Sequence, residues 1–580
     1  MKKLMTILTA ALCCSMPTTA KTNAKTVEIR VIQTSDVHGC FFPYDFIARK
    51  PKEGSMARVC SYVNRLRSDY GDRLLLLDNG DILQGQPTCY YCNYVKPHMP
   101  NVAAEVVNYM RYDAQTIGNH DVETGHAVYD KWIGEVECPM LGANIVDTQT
   151  GKPYVEPYAI FVRDGVKIAV LGMLTPAIPY WLNEELWSGM RFEEMVGSCQ
   201  KWMDHLRNVE HPDVVIGLFH SGLDGGIKTA QYQEDAAAKV AQMVEGFDLI
   251  VYGHDHAKYE GTVKSAQGKD VLMLNPSSNA LYVADARICV TKQGGKLIDK
   301  KVEGKLVDIR QEQPDPAFVS RFQASTDSVS AYVNRTIGTF TNDIHSRDCY
   351  FGPSAFSDFI HDLQLKITGA DISFNAPLTY DAHIPAGPVR VSDMFSLYRY
   401  ENQIYVLRMT GREVRDFLEL SYNRWVNTMQ TPDDHIMRLS PYTSQGQQRM
   451  RFTNLAFNFD SAAGIDYEVD VTKPDGQKVR ILGMSNGQPF GEDKWYNVVM
   501  NSYRGNGGGE LLTLGAGIPH DSIPGRIVFQ SERDQRYYLV REIEKAGTLS
   551  PKAHKNWRFV PTEWTEAAIR RDRELLFGND

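Results

Sequence analysis

The sequence predicts an α/β fold in two domains that are joined by a helix. Between Val27 and about Asp308, short β-branched apolar runs alternate with longer amphipathic stretches, which is the pattern of a layered α/β domain. A cluster of helix-breaking residues at 311–316 then precedes the segment 317–333, where apolar residues recur at helical spacing. Strand-like and helical segments resume after it. With 580 residues, 43% of them hydrophobic, the chain can bury two cores.

The first 20 residues have the pattern of a secretory signal. Two lysines precede an apolar run, Leu4–Cys14, and small residues follow as far as Ala20. We therefore expect cleavage after Ala20 and an exported protein, periplasmic or at the cell surface. The residues before Cys13 fit a lipoprotein signal poorly. No later segment has about 18 uninterrupted apolar residues, so we expect no stable membrane span.

The same patterns divide the rest of the chain. We expect the first domain at 26–308, the linker and connecting helix at 309–334, and the second domain at 335–565. In the second domain the periodicity predicts a helix and three strands. The helix is Gly411–Tyr422, and the strands are Ile404–Met409, Asp466–Val471 and Tyr496–Met500.

Charge and cysteine content narrow the functional classes. Lys and Arg number 62 against 71 Asp and Glu, so a basic surface for duplex nucleic acid is not expected. A phosphate-bearing substrate must therefore be held by local charge or by metal. Cys89 and Cys92 form the motif CxxC, but the second CxxC of a zinc ribbon is absent. A local disulfide or two buried thiols are favoured over a functional pair.

Five apolar runs in the first domain end at residue types that bind metal ions. In a layered α/β fold, functional groups collect where strands end and loops begin, so these ends can converge on one cleft. Each feature alone has an ordinary explanation as a cap or a turn. Their occurrence together indicates a metal site. The candidate ligands are Asp36, His38, Asp81, Asn119, His220, His254 and His256.

The types and number of these ligands predict two divalent ions. Oxygen and imidazole ligands without a thiolate suit zinc, manganese, iron or cobalt better than calcium. Seven ligands exceed the needs of one tetrahedral ion, but they supply two ions if one carboxylate bridges them. Two ions about 3.5–4 Å apart are a known arrangement for hydrolysing phosphate esters, because they clamp the phosphate and activate water at neutral pH.

These residues form ordered blocks that resemble the calcineurin-like metallophosphoesterases. The blocks are Asp36-Val-His38-Gly39, Gly80-Asp81, Gly118-Asn119-His120-Asp121, His220 and Gly253-His254-Asp255-His256. Two further motifs, Asp81-Ile-Leu-Gln84-Gly85 and the segment 503–509, narrow the resemblance to the exported two-domain 5′-nucleotidase family. The resemblance implies a four-layer αββα metallophosphoesterase sandwich followed by an α/β substrate-binding domain.

The resemblance also implies roles for the ligand blocks. One ion would be held by Asp36, His38, Asp81 and His256, and the other by Asp81, Asn119, His220 and His254, with Asp81 as the bridge. His120 is similar to the family's non-ligand histidine, which faces the phosphate and assists the leaving group. The family's orienting Asp is replaced here by Glu123, which keeps the carboxylate on a longer stem.

In the second domain the resemblance implies a nucleotide-binding site. Tyr400 and Tyr503 match the aromatic pair that sandwiches the base, and Arg347 and Asn375 match further substrate contacts. Two departures argue against strict recognition of 5′-monophosphates. The usual Gly-Gly-Asp reads Gly-Gly-Gly at 507–509, and the segment FNAPLTY replaces an arginine-bearing glycine loop.

Further second-domain motifs are similar to the branch of 2′,3′-cyclic-nucleotide 2′-phosphodiesterase/3′-nucleotidases. These motifs are the segments 457–460 and 464–467. The resemblance thus implies a phosphohydrolase that acts on nucleotides. A 5′-nucleotidase or UDP-sugar hydrolase on the same scaffold is the alternative. A non-catalytic nucleotide-binding protein is disfavoured, because all seven candidate ligands and His120 are present.

Overall fold

Two six-stranded sheets form the centre of the first lobe in the computed structural model, which describes residues 24–444 and 446–578. The predicted signal, 1–20, lies outside these ranges. In spatial order the first sheet contains Lys296–Asp308, Tyr282–Gln293, Lys25–Thr34, Leu74–Asp78, Ala114–Thr116 and Met140–Leu141. The second contains Lys258–Lys264, Asp270–Pro276, Leu249–Tyr252, Val214–His220, Val166–Leu174 and Tyr158–Arg163.

The two sheets pack face to face around a shared apolar core. Side chains from both sheets, such as Val31, Leu75, Val170 and Leu218, belong to one buried cluster. The central strands pair in parallel and are buried on both faces, which explains their unbroken apolar runs. Because these strands are parallel, their carboxyl ends meet at one edge of each sheet.

Helices cover the outer face of each sheet and complete four layers. Met56–Tyr70, Val102–Met110 and His126–Glu135 pack on the first sheet, and Met195–His205 and Ala237–Met243 pack on the second. The predicted two-domain α/β class with an αββα first lobe is therefore confirmed. This lobe also contains short pairs of antiparallel strands. They are Tyr44–Asp45 with Lys50–Pro51, Ile145–Asp147 with Met190–Phe192, and Gly225–Lys228 with Gln233–Asp235.

The connection between the lobes consists of two helices, where the sequence predicted one over 317–333. The two helices are Pro316–Arg321 and Gln323–Asn334. Between them, Phe322 has φ −103° and ψ 12° and interrupts the helical backbone. The Asp315 carboxylate accepts the Phe318 N–H and caps the first helix. Phe318 and Phe322 are buried in the first-lobe core, so the connection is fixed to that lobe.

A five-stranded mixed sheet forms the centre of the second lobe. Its order is Ser461–Ala463, Ile372–Asn375, Trp495–Asn501, Gln403–Thr410 and Ile527–Asp534. Two three-stranded sheets flank it, Val479–Met484 with Ile465–Asp470 and Trp557–Val560, and Gly387–Arg390 with Thr336–Phe340 and Thr548–Leu549. The main helices are Ala355–Thr368, Val391–Leu397, Gly411–Trp425, Gln535–Ala546 and Thr562–Phe577.

Each segment predicted in the second lobe falls on an element of the same type. The helix expected at Gly411–Tyr422 runs on to Trp425, and its Thr410 and Glu413 form a capping box. The helix Thr562–Phe577 continues past the expected boundary at 565 and packs on the second lobe, where Phe577 contacts Tyr350 and Tyr380.

Cysteines in the described ranges are all present as thiols. Of the two options left open for Cys89 and Cys92, the structure thus has the thiol pair, with Cys89 buried and Cys92 half-buried. Burial raises the pKa of Cys92 to about 11, so this thiol is protonated at neutral pH. None of the helices in the described ranges combines the length and apolarity needed to cross a membrane.

Candidate metal centre and substrate cleft

The strand ends of the two sheets bring all seven predicted ligands into one cluster. Asp36, Asp81 and Asn119 follow parallel strands of the first sheet. His220 ends the strand Val214–His220 of the second sheet, and His254 and His256 follow the neighbouring strand Leu249–Tyr252. The sandwich places these two edges side by side, so ligands that are far apart in sequence come within contact distance.

The first ligand group is Asp36, His38, Asp81 and His256. One ligand atom from each of these side chains lies within 4.8 Å of the others. The Nε2 atoms of His38 and His256 are 2.9 Å apart, and Asp36 Oδ1 is 3.4 Å from His256 Nε2. The Nδ1–H of His38 donates to the Gln84 carbonyl at 3.1 Å, which leaves the Nε2 lone pair for a metal ion.

The second group continues from Asp81. Asp81 Oδ2 lies 3.3 Å from His220 Nε2, which in turn lies 3.1 Å from Asn119 Oδ1. His254 Nδ1 is 2.8 Å from the same Asn119 oxygen. The Nδ1–H of His220 donates to the Asn79 carbonyl at 2.5 Å, so Nε2, which faces Asp81 and Asn119, is the atom that could bind an ion.

Asp81 lies where the two groups meet, and its environment fits a bridging ligand. One carboxylate oxygen accepts the His120 N–H at 2.8 Å. The other, Oδ2, is buried and has no hydrogen-bond partner among the described residues. A buried carboxylate oxygen without a partner is costly, and a divalent cation would satisfy it. The donors around it are imidazole, carboxylate and amide groups, which suit zinc, manganese, iron or cobalt. The residues present therefore fit two divalent ions.

The backbone at the ligands is strained in a consistent way. Asp36, His38, Asp81, His254 and His256 all have positive φ, between 49° and 83°. Non-glycine residues adopt this left-handed region rarely and at a cost, and such strain concentrates at functional sites. Here it turns five side chains out of their strand ends toward one point.

Close backbone packing leaves room only for glycine beside two of the ligands. A Cβ at position 118 would come within 2.1 Å of Asp81 Oδ1, and one at position 253 within 2.5 Å of Asp36 Oδ2. Gly118 and Gly253 therefore allow the loops of the two sheets to approach closely enough for shared ligands.

Asp121 connects the loop that contains Asp81 to the loop that contains Asn119. The sequence analysis did not assign this role. Its carboxylate accepts the N–H groups of Gly118, Asp81, Ile82 and Leu83 at 2.8–2.9 Å. Burial, with the Asp81 charge adding to it, raises the pKa of Asp121 to about 6. Asp121 belongs to the sequence motif Gly118–Asp121. The motif alone does not distinguish a carboxylate that positions a neighbouring loop from one that caps a helix.

His120 and Glu123 pair beside the cluster of predicted metal ligands. His120 Nδ1 is 2.7 Å from Glu123 Oε2, which also accepts from Gln84 Nε2 at 2.8 Å, so the longer carboxylate reaches the histidine. Burial opposes the charged imidazole, but the Asp81 charge and the Glu123 hydrogen bond outweigh it and raise the pKa of His120 to about 9. Two divalent ions beside Asp81 would offset part of this effect.

Glu234 is a second residue that sequence reasoning missed. Its Oε1 lies 3.0 Å from His254 Nε2, while Oε2 accepts the Ile227 N–H at 2.6 Å. A carboxylate on the outer nitrogen of a metal-binding histidine fixes the tautomer and the ring orientation. Glu234 follows no strand end of the central sheets and belongs to no recognised block, so the sequence carries no signal for it.

A cavity of about 860 Å³ lies between the lobes and joins this cluster to the second lobe. Asn119, His120 and His254 line it from the first lobe, and Tyr405, Tyr503 and Asn506 from the second. One bound molecule can therefore contact Asn119, His120 and His254 and the second lobe at the same time. The lobes are held in this position by Asn506 Nδ2, which donates to the Trp181 carbonyl at 3.0 Å, and by the stacked rings of Tyr180 and His520.

The aromatic residues predicted to bind the base are placed unequally around this cavity. Tyr503 lines it, and the Phe457 ring packs edge-on against Tyr503 at 6.3 Å. Burial raises the pKa of Tyr503, and the neighbouring groups Glu234 and Tyr400 add to the effect. Tyr400 is not among the residues that line the cavity.

Arg347 and Asn375, the other predicted substrate contacts, are also absent from the cavity lining. Arg347 lies 3.4 Å from Asp381 and over the Phe577 ring. Asn375 is buried, and neither of its amide atoms has a hydrogen-bond partner among the described residues.

The glycine at position 509, where the family pattern has Asp, has a local explanation. Its φ is +68°, and a Cβ there would come within 2.2 Å of Arg504 Nη1 and Asn458 Oδ1. The Arg504 guanidinium fills this space and pairs with the buried Asp460 at 2.7 Å. A side chain at 509 would therefore displace the contacts that hold the Tyr503 segment in place.

Comparison with known proteins supplies independent findings. Residues 29–258 match the family model described as calcineurin-like phosphoesterase, and residues 336–515 match the model described as 5′-nucleotidase, C-terminal domain. The chain is 26% identical over 601 residues to the "Trifunctional nucleotide phosphoesterase protein YfkN" of Bacillus subtilis, an alignment that covers 93% of this chain and 39% of that protein. It is 25% identical to the "2′,3′-cyclic-nucleotide 2′-phosphodiesterase/3′-nucleotidase" of Haemophilus influenzae, over 92% of this chain and 88% of that one.

Solved structures agree at the level of the fold. The "putative 5′-nucleotidase" of Staphylococcus aureus aligns with a TM-score of 0.74 at 19% identity, over 92% of this chain and 100% of that chain. The "5′-nucleotidase precursor" of Thermus thermophilus aligns over the same shares with a TM-score of 0.63 at 20% identity.

The contact between Glu234 and His254 yields a test of ligand positioning. Glu234→Ala should weaken metal affinity by about 10- to 100-fold, because His254 loses the group that orients it, and Glu234→Gln should be milder. The measurement is hydrolysis of a phosphate ester as a function of Mn²⁺ concentration after chelation. Asp224→Asn, an exposed carboxylate nearby, is the matched control. Saturating metal should restore the activity of Glu234→Ala, and a loss that metal does not restore would contradict the positioning role.

Proposed function

Because this chain joins a calcineurin-like phosphoesterase domain to a 5′-nucleotidase C-terminal domain, it belongs to the metal-dependent phosphoester hydrolases, and we propose that its substrates are nucleotides. More closely, we propose a dinuclear-metal 2′,3′-cyclic-nucleotide 2′-phosphodiesterase/3′-nucleotidase. The observation that carries the proposal is the cavity that joins Asn119, His120 and His254 to Tyr503. A phosphate at the first-lobe end and a base at the second-lobe end can belong to one molecule.

The residues at the first-lobe end can support phosphate ester hydrolysis. The seven ligands would hold two divalent ions, which supply charge neutralisation of the phosphate and activation of water. His120 keeps its Nδ1 on Glu123, so its Nε2 is the atom that can reach the phosphate or the departing ribose oxygen. In its protonated form, which its pKa of about 9 favours at neutral pH, it donates a proton to that oxygen.

Two observations favour cyclic and 3′-nucleotides over 5′-monophosphates. Several relatives at 24–25% identity over most of the chain bear the name of that activity. In addition, position 509 carries glycine where the family pattern has Asp, and a side chain there would have to displace the ends of Arg504 and Asn458. A 5′-nucleotidase on the same scaffold is the competing outcome of the assay below.

A substrate panel tests the proposed activity. Purified protein is assayed with 2′,3′-cyclic AMP, 3′-AMP, 5′-AMP and UDP-glucose, with and without a chelator. We expect the cyclic nucleotide and 3′-AMP to be hydrolysed fastest, and a chelator to abolish hydrolysis of every substrate. A preference for 5′-AMP or UDP-glucose would overturn the cyclic phosphodiesterase assignment. Metal-independent hydrolysis would overturn the mechanism.

His120→Asn is the matched variant for this panel. It should retain the metal content of the wild type and lose turnover by a factor on the order of 10² to 10⁴, as expected for removal of a general acid. Stoichiometric loss of a metal ion from His120→Asn would instead make the residue a ligand.

Tyr503 is proposed as one face of the base slot. Stacking contributes roughly 1–3 kcal/mol per base, so Tyr503→Ala should weaken nucleotide binding by about one to two decades. Methyl phosphate has no base, and its hydrolysis should scarcely change. Tyr442→Ala, a second-lobe tyrosine outside the cavity lining, is the control. Equal losses of Tyr503→Ala on nucleotide and methyl phosphate would show a structural role and overturn the base slot.

We also propose that the protein is exported, on the strength of the charged, apolar and small-residue regions of 1–20. Expression of the full chain in a bacterial host followed by N-terminal sequencing of the periplasmic protein should give Lys21 as the first residue. Recovery of the protein only in the cytoplasm with its N-terminus intact would contradict export.

A further inference from the structure

A pair of histidines faces each other on the second lobe, away from the cleft. The short strands Ile344–His345 and His383–Ile384 pair antiparallel, and His345 stands directly opposite His383 in the register. Their rings stack at a centroid distance of 4.1 Å and an angle of 10°. Neither histidine lines the cavity between the lobes, so the substrate site does not account for them.

Asp343 completes this pair to a set of three ligand-type side chains. Its Oδ2 lies 2.8 Å from His383 Nε2, and its Oδ1 accepts the Ala386 N–H at 2.9 Å, which fixes the carboxylate in place. One ligand atom from each of Asp343, His345 and His383 lies within 4.8 Å of the others. Two imidazoles and a carboxylate are the ligand types of zinc, copper and nickel sites in proteins.

His345 supplies a second observation that points to a ligand. Its Nδ1 atom is enclosed and has no hydrogen-bond partner among the described residues. Buried polar atoms in native proteins nearly always have a hydrogen-bond partner, so an unpartnered buried nitrogen needs an explanation such as a bound ion. Asp343 and His383 are exposed, which leaves the cluster open to an ion from solvent.

We propose that Asp343, His345 and His383 form a surface site for a divalent transition-metal ion, separate from the cluster in the cleft. Three protein ligands leave at least one coordination position for water. An ion there would tie the strand 344–345 to the strand 383–384. These strands already flank a contact in which Ser346 N donates to the Ala382 carbonyl at 2.9 Å and Ala382 N donates to Ser346 Oγ at 2.7 Å. The ion therefore stabilises this edge of the second lobe and takes no part in the chemistry.

The test counts zinc equivalents at equilibrium. Full-length protein is dialysed against micromolar free Zn²⁺, and bound zinc is measured for the wild type, His383→Ala and Asp343→Ala. We expect each variant to bind one equivalent less than the wild type while its activity stays unchanged. The difference between proteins is the readout, so it holds whether the cleft binds two ions or one.

His126→Ala is the matched control, because His126 pairs with Asp130 at 2.9 Å on the surface, but no third ligand-type side chain among the described residues completes a group with them. It should bind as much zinc as the wild type. As a second readout, Zn²⁺ should raise the thermal midpoint of His126→Ala and the wild type by more than that of His383→Ala. Equal zinc content and equal thermal shifts in the wild type, His383→Ala and Asp343→Ala would overturn the site.

Discussion

The placement of one buried carboxylate, Asp81, is the constraint on which the rest of the active-site architecture depends. Both ligand groups share it, and its Oδ2 has no hydrogen-bond partner among the described residues. Burying such a group is unfavourable unless a cation compensates it, so the fold must hold it there by other contacts. Asp121 accepts four backbone N–H groups from this region, and Gly118 has no Cβ to prevent the close approach. These two features keep Asp81 in place.

The two lobes divide the work that a nucleotide hydrolase requires. The rigid sandwich of the first lobe fixes the metal ligands on strand ends, where parallel strands deliver side chains to a common edge. The second lobe brings Tyr503 to the same cavity, held there by Arg504 and its partners Asp460 and Asn458. Because Tyr503, the proposed base contact, and the proposed metal ligands lie on separate cores, we expect changes around Tyr503 to alter the choice of nucleotide without disturbing those ligands.

The sequence predicted the fold class, and it named seven residues that the structure brings together, since apolar runs and ordered strand-end motifs are local signals. It did not predict Asp121 or Glu234 as positioning residues, because their roles arise from backbone N–H groups and a histidine contributed by other parts of the chain. It also placed Arg347 and Asn375 at the substrate, whereas the cavity lining contains neither. The break at Phe322 is a tertiary effect, since both halves of the connection pack on the first-lobe core.

We propose that the Asp81 carboxylate bridges two metal ions where the strand ends converge. Anomalous diffraction from crystals of the full chain grown with Mn²⁺ tests it most directly. We expect two anomalous peaks about 3.5–4 Å apart, with Asp81 in contact with both and His120 in contact with neither. A single peak among the seven ligands, or two peaks of which only one contacts Asp81, would contradict it.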